Sequence, residues 1–257
     1  MTLWIHTDLQ ELNMRNLLKT NAFQFADKEN PWFPYTSGQI GPYYVQSTAI
    51  EKDGALYSTA VNSMVEIIQS EFKTFDAVSG GETRDWDFSN PVAVAMQKPH
   101  IKIYKNGKTL GAEISNKKIL HIADLNNEGS SVKDYWKPTI EKHGGQLTGI
   151  ISFVDRMEDG FTLLKDLGLV VISVVPLNEH AWHLALQEGY ISQSVYSDLV
   201  KRMNDRHGWA IRSLLNHPNR FRTLFRDPTT KSKAVKIMET YPEIKKELNQ
   251  MIKKREA

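Results

Sequence analysis

A chain of 257 residues, 40% hydrophobic and 24% charged with a net charge of +2, is long enough for one large domain, or a domain with an appendage, built on a core two or three layers deep. The absence of cysteine excludes disulfides, thiolate metal sites and cysteine nucleophiles. No apolar run approaches the ~20 residues that cross a bilayer, and the start, MTLWIHTDLQELN, lacks the charged-then-apolar layout of a signal peptide, so a soluble, cytoplasmic protein is expected.

Leu9, Leu12, Leu17 and Leu18 fall at helix-compatible spacing and predict a helix over 9–22. An aromatic stretch follows: Phe23-Gln24-Phe25, then Trp32-Phe33-Pro34-Tyr35 and TSGQIGPYYVQST. Its Pro, Gly and Ser residues punctuate a turn and a short extended piece, which by itself reads as an aromatic cover on the core. Leu56, Ala60, Met64, Ile67 and Ile68 predict a helix over 54–72 laid on a sheet. Phe75 to Val78 reads as the next strand and runs into SGGETRDWDFSNPVAVAM. There Gly80 and Gly81 permit unusual backbone angles or close approach of a ligand. Arg84 is suited to a phosphate, and Asp85 or Asp87 to a hydroxyl or hydrated metal ion; an exposed Arg–Asp ion pair accounts for the same residues. Pro91 to Met96 begins another helix. Residues 99–104 alternate as a strand, and Lys105 to Gly111 form a loop with two lysines and two glycines, suited to a mobile lid over phosphates or to an ordinary solvent-facing hairpin.

The next segment carries the most chemistry. Ile119 to Ala123 is a mostly apolar strand with Asp124 at its end, followed by the small polar loop Asn126-Asn127-Glu128-Gly129-Ser130-Ser131. Val132, Tyr135, Trp136 and Ile140 then recur at helical spacing, and Gly144-Gly145 supplies a stop. Strand, tight loop and helix aim backbone N–H groups and a helix N-terminus at one point, which favours an anion such as phosphate. The alternative is a plain turn with Ser130 or Ser131 as N-cap. On the ligand edge of a parallel sheet, Asp124 could accept hydrogen bonds from sugar hydroxyls while the loop holds the sugar's phosphate.

Leu147 to Val154 is a strongly apolar strand ending in DRMEDG, where Arg156 could pair with a substrate carboxylate or be held by Asp155 or Glu158. Leu169 to Leu177 is a further buried strand. From Glu179 the chain is helical in character, with Trp182, Leu184, Leu186, Val195, Tyr196, Leu199 and Val200 facing a core; His180 and His183 lack a third metal ligand. From His207 to Ala257 there are 12 Lys and Arg against 5 Asp and Glu, whereas the rest of the chain has 20 against 25. This basic tail, broken at Pro218, Pro228 and Pro242, reads as a solvated helical face or as a surface for nucleic acid or membrane.

Taken together, these residues resemble the type I phosphoribosyltransferases, whose phosphoribosyl-pyrophosphate motif is an apolar strand, two adjacent acids and a loop containing Thr and Gly. Here the acid pair is Ala123-Asp124 and the loop Thr is Asn127, while Gly129 and Ser130 keep the small residues. The orotate branch of the family adds matches at Ser37, Gly38, Pro42, Tyr43 and Tyr44, with Thr36 and Gln39 in place of a Lys and an Arg. It also matches Lys105, Lys108 and Gly111, with Tyr104 and Leu110 in place of an Arg and a His, and the run from Asp155-Arg156 to Gly160. The resemblance spans about residues 9–205.

It implies a three-layer α/β fold with a central parallel sheet over residues 1–205, including an N-terminal substrate-binding segment, and a basic helical extension over 206–257. It implies transfer of a 5-phosphoribosyl group from phosphoribosyl pyrophosphate to a pyrimidine-like base, in pyrimidine nucleotide biosynthesis. Mg²⁺ would arrive bound to phosphoribosyl pyrophosphate, without direct side-chain ligation, and the protein would be a homodimer. Phosphoribosyl pyrophosphate would lie on Gly80, Gly81, Arg84, Asp124, Asn126, Asn127, Glu128, Gly129, Ser130 and Ser131. Lys105, Lys108 and Asp124 would carry catalysis, and Tyr43, Tyr44 and Arg156 would hold the base. Because Ala123, Tyr104, Leu110 and Thr36 depart from the family pattern, two further expectations stand: a catalytically impaired nucleotide- or phosphoribosyl-pyrophosphate-binding relative, and a role in RNA or protein interaction through the basic tail.

Overall fold

A computed structural model describes residues 6–253. In chain order the elements are α1 (Thr7–Lys19), β1 (Phe23–Phe25), β2 (Phe33–Pro34), β3 (Ile40–Gly41), β4 (Tyr43–Val45), a 3₁₀ turn (Ser47–Lys52), α2 (Gly54–Glu71), β5 (Ala77–Gly81), α3 (Asp85–Ala95), β6 (His100–Ile103), β7 (Thr109–Gly111) and β8 (Lys118–Asn126). There follow α4 (Lys137–Lys142), preceded by a π turn (Val132–Trp136), then β9 (Gln146–Asp155), α5 (Asp159–Asp166), β10 (Val170–Pro176) and α6 (Glu179–Gln187). Last come α7 (Gln193–Asn204), α8 (Arg206–Asn216), α9 (Pro218–Arg226), α10 (Lys231–Thr240), a 3₁₀ turn (Pro242–Ile244) and α11 (Lys245–Lys253). The chain packs as two compact units: residues up to Ala22 with Gln46–Leu184, and Phe23–Val45 with the residues from Ala185 onward.

The first unit is built on a six-stranded sheet in the order β10-β9-β8-β5-β6-β7, parallel except for β7, which returns from β6 as an antiparallel hairpin. Strands β8 and β9 are buried almost end to end, as strands covered on both faces must be. On one face Ile119, Ala123, Trp136, Ile140 and Leu147 share a core; elsewhere in the unit Phe88 stacks on Phe153 with centroids 4.7 Å apart. From β5 the chain crosses to β6 on one side, and from β8 it crosses to β9 and β10 on the other. The order therefore reverses between β5 and β8, and the crevice beyond their carboxyl ends is where such sheets take ligands.

Helix α2 forms as its apolar stripe requires: Ala60, Met64, Ile67 and Ile68 are buried, and the Asp53 side chain caps it by accepting from the N–H groups of Ala55 and Leu56 at 2.9 and 3.1 Å. Helix α1 departs from the expected leucine stripe. Leu12 is exposed, and the inward face carries Gln10 and Asn13, whose amides donate to Ser173 O at 3.0 Å and Ser63 Oγ at 2.8 Å.

Helix α3 begins six residues before the expected start, at Asp85, with Pro91 inside it. A proline has no N–H to offer the carbonyl four residues back, here Asp87 O. The Tyr57 hydroxyl of α2 donates to that carbonyl instead, so the helix runs through its proline with the acceptor satisfied. Strand β8 likewise extends beyond the expected Ala123, because Leu125 and Asn126 still pair with Val154 and Asp155 of β9. The expected stop after α4 is present: Gly144 sits at φ +77°, with Gly144 N–H bonded to Glu141 O and Gly145 N–H to Ile140 O, the paired bonds of a Schellman turn.

In the second unit β1 pairs with β4 and β2 with β3, both antiparallel. Trp32 and Ile40 share one core with Trp209, Leu214, Phe221, Ile237 and Leu248, so the aromatic segment is covered by helices α8–α11. One polar contact joins the segment to a helix, the Arg202 Nε of α7 donating to Ile40 O at 3.1 Å, and one ties the segment to itself, the Tyr35 hydroxyl donating to Tyr43 O at 2.6 Å. No helix among the described residues is long and apolar enough to cross a membrane.

Candidate active site

Strands β5 and β8 pair as far as Ser79 and His121 and then part. Asp85, the first residue of α3, fills the wedge between them. Its Oδ2 accepts from Gly81 N–H at 3.0 Å and its Oδ1 from Asp124 N–H at 2.9 Å, so a carboxylate continues the ladder where the backbones have separated. Behind it His121 is fully buried, with Nδ1 2.9 Å from Ser79 Oγ and Nε2 3.4 Å from Asp85 Oδ2. The Asp124 carboxylate accepts from the Ser47 hydroxyl at 2.8 Å and lies 3.7 Å from the Nε of the half-exposed Arg84. Asp124 is 7% exposed. Burial, and then the neighbouring Asp85 charge, push its pKa up to about 7, against the opposing pull of Arg84 and the Ser47 hydrogen bond. It thus stands at the reversal point, within the strand and mostly enclosed.

Beyond Asn126 the chain makes only three non-helical residues, Asn127 to Gly129, before turning helical at Ser130. Gly129 takes φ +68°, a conformation that glycine adopts without strain. Gly160, at the start of α5, donates to Asn127 O at 3.0 Å, and a Cβ there would meet Asn127 O at 2.5 Å and Gly129 N at 2.6 Å. From the other side, Asn126 donates to the buried Asp155 at 2.7 Å, while Arg156 N–H donates to Asn126 O at 3.0 Å. Burial raises the Asp155 pKa to about 6, opposed by its bonds from Asn126 and Met157. The loop is therefore shaped by backbone fixed on both flanks. Ser131 makes no side-chain capping bond, contrary to the plain-turn reading for that residue, and the N–H groups of this helix start remain suited to an anion. Glu128 and Ser131 are partly exposed there, and Ser130 exposed.

The other expected site residues are placed as follows. Gly80 and Gly81 are buried with no room for a side chain, and what crowds them is Ser89 and Trp86 in one case and the Trp136 indole in the other; close protein packing accounts for both glycines. Lys105 and Lys108 are exposed on a tight hairpin closed by Tyr104 N–H to Lys108 O and Gly107 N–H to Tyr104 O, each 2.9 Å, and anchored by Lys105 N–H to Glu82 Oε2 at 3.0 Å. Arg156 is buried with its Nη2 3.1 Å from Glu158 Oε1, so Glu158 is the neighbour that holds it. Tyr43 and Tyr44 belong to the second unit, where Tyr43 is buried against Tyr35 and Tyr44 is exposed. Among the described residues no group of three His, Asp or Glu side chains is placed to hold a metal; His180 instead pairs with Glu11 at 3.0 Å. Reading residues alone missed Ser47 and His121. Ser47 gave no signal, whereas a histidine inside an apolar strand was a visible one.

No protein-family model matches the chain. It is 29% identical over 172 residues to an orotate phosphoribosyltransferase of Sulfurisphaera tokodaii, covering 65% of this chain and 84% of that one. Among solved structures it superposes on the orotate phosphoribosyltransferase of Francisella tularensis with a TM-score of 0.62 at 17% identity, over 74% of this chain and 96% of that one. The chain is similar in sequence to orotate phosphoribosyltransferases. Its α/β architecture is that of the type I phosphoribosyltransferases. The UMP synthase of Leishmania donovani superposes with a TM-score of 0.66 at 17% identity over 76% of this chain; the match spans less than half, 42%, of the synthase chain. At 17% identity these superpositions show a shared fold, so the roles of individual side chains rest on the geometry above.

Proposed function

We propose that the chain transfers a 5-phosphoribosyl group from phosphoribosyl pyrophosphate to a ring nitrogen of a pyrimidine-like base, with pyrimidine nucleotide biosynthesis in the cytoplasm as its setting. The observation that carries the reading is the placement of Asp124 beside the loop Asn127–Gly129, at the point where the two central strands part. Such a transfer passes through a cation-like anomeric carbon. It asks for a clamped phosphate, stabilised charge and little covalent help.

The helix start after Gly129 offers N–H groups to the 5′-phosphate, and the ionised Asp124 accepts hydrogen bonds from the ribose hydroxyls. Arg84, 3.7 Å from Asp124, faces the same crevice and balances anionic charge there. Lys105 and Lys108 hold the departing pyrophosphate, and their outward position suits a hairpin that serves a partner protomer in a homodimer. Within this unit the base falls to Arg156, at the end of β9. A magnesium ion would arrive as a passenger on the pyrophosphate. When bound it neutralises charge on the leaving group.

The test is pyrophosphate release from phosphoribosyl pyrophosphate and Mg²⁺ with orotate and a panel of other bases. Release with a pyrimidine, reduced at least about a hundredfold in Asp124→Ala, is the expected result. Tight binding without release from any base favours the impaired relative, and equal binding by both proteins removes the site.

A further inference from the structure

Strand β8 carries alanine at position 123, so it brings a single acid, Asp124, to the crevice. A second carboxylate nevertheless stands there, delivered by a different element. Asp85 leaves the first position of α3 and lies between the ends of β5 and β8, with one oxygen on Gly81 N–H and the other on Asp124 N–H. Side chains two apart on a strand share a face. His121 is therefore on the same side of β8 as Ala123, and its buried Nε2, which makes no hydrogen bond, lies 3.4 Å from Asp85 Oδ2. The carboxylate thus spans from His121 to the N–H of residue 124, alongside the strand position where Ala123 brings no acid. Ala123 itself belongs to the apolar core that also holds Trp136 and Val132, where an acid at 123 would be buried among hydrophobic side chains.

We propose that Asp85, backed by His121, is a positioning residue of the phosphoribosyl site, fixing the separation of β5 and β8 and supplying across the strand gap the second negative charge beside Asp124. This rests on the function proposed above and names a determinant of the same site. The groups facing Asp124 are Asp85 from α3, Arg84 from the turn before it, and Ser47 from the 3₁₀ turn, with His121 acting through Asp85. A residue that only held the fold would leave the protonation of Asp124 unchanged in a folded variant. One that supplies charge would not.

The experiment is calorimetric titration of phosphoribosyl pyrophosphate with Mg²⁺ between pH 5.5 and 8.5 into the native chain and Asp85→Asn, each shown by circular dichroism and melting to be folded. The proposal expects at least tenfold weaker binding at pH 8 and an acid limb displaced downward by about one pH unit, because removing a nearby negative charge eases ionisation of Asp124. Asp85→Glu retains the charge and should keep the limb at the native pH. If Asp85→Asn does not fold, ¹³C-carboxyl titration of Asp124 in Asp85→Glu and His121→Gln decides the matter: a native midpoint in the first and a displaced one in the second supports the proposal, and any other pair of midpoints overturns it. Native affinity with an unmoved limb in Asp85→Asn overturns it while leaving the phosphoribosyl reading intact. No binding by the native chain overturns both.

Discussion

Two loops leave the same edge of the sheet, and they are built in opposite ways. The turn after β8 uses three residues, holds Gly129 at a positive φ, and is pinned by Gly160 on one flank and by the Asn126–Asp155 bond on the other. The hairpin after β6 projects Lys105 and Lys108 outward and has open space around Gly107. The first presents main-chain groups and cannot be adjusted without disturbing its flanks. The second presents flexible, exposed side chains whose removal leaves the backbone as it was. A site that clamps a phosphate in one place and follows a departing group in another has use for both.

The strongest way to break the contrast is Gly160→Ala. A methyl group 2.5 Å from Asn127 O must push the turn away, and we expect loss of phosphoribosyl pyrophosphate binding with destabilisation of about 3 kcal/mol, read by calorimetry and urea unfolding. Asp124→Asn should come next, with turnover reduced about a hundredfold. Its stability should move the other way. The folded pKa of about 7 lies above the ordinary 3.8, so this carboxyl contributes stability that is fully present below about pH 4 and is lost as the pH rises through 7. At pH 8 the asparagine variant should therefore be more stable than the native chain, by on the order of 2 kcal/mol, and the advantage should vanish at pH 4. Removing both hairpin lysines should lower turnover by roughly tenfold to a hundredfold while leaving the melting temperature in place, because exposed side chains contribute little to stability. Smallest of all, Gly107→Ala has room for its methyl and should cost only about 1 kcal/mol, from its φ of +83°. An equal effect at Gly107 and Gly160 would erase the distinction between the loops.

Much of the sheet could be read from residue patterns. Continuous apolar runs identified β9 and β10, the alternation of residues 99–104 identified β6, and Gly144-Gly145 closed α4. What escaped depended on partners distant in the chain. Pro91 looked like a helix start because only the hydroxyl of Tyr57 reveals that a helix can pass through it. The length of β8 depended on β9 continuing alongside, and the packing of Gly80 and Gly81 on Ser89, Trp86 and Trp136. In the site, the acid and its loop were legible from strand, Asp and Gly in succession. The wedge position of Asp85 was not, since it follows from two strands diverging. Arg156 shows the same limit: its own neighbours Asp155 and Glu158 were both visible, but only geometry chooses Glu158.

The second unit joins Phe23–Val45 to residues that begin at Ala185. During synthesis the early segment emerges well before the helices that cover Trp32 and Ile40, and nascent chains meet their surroundings in order of emergence. Until the residues from Trp209 to Leu248 have been made, Trp32 and Ile40 have no native shelter, so this core closes only after both ends of the unit have emerged.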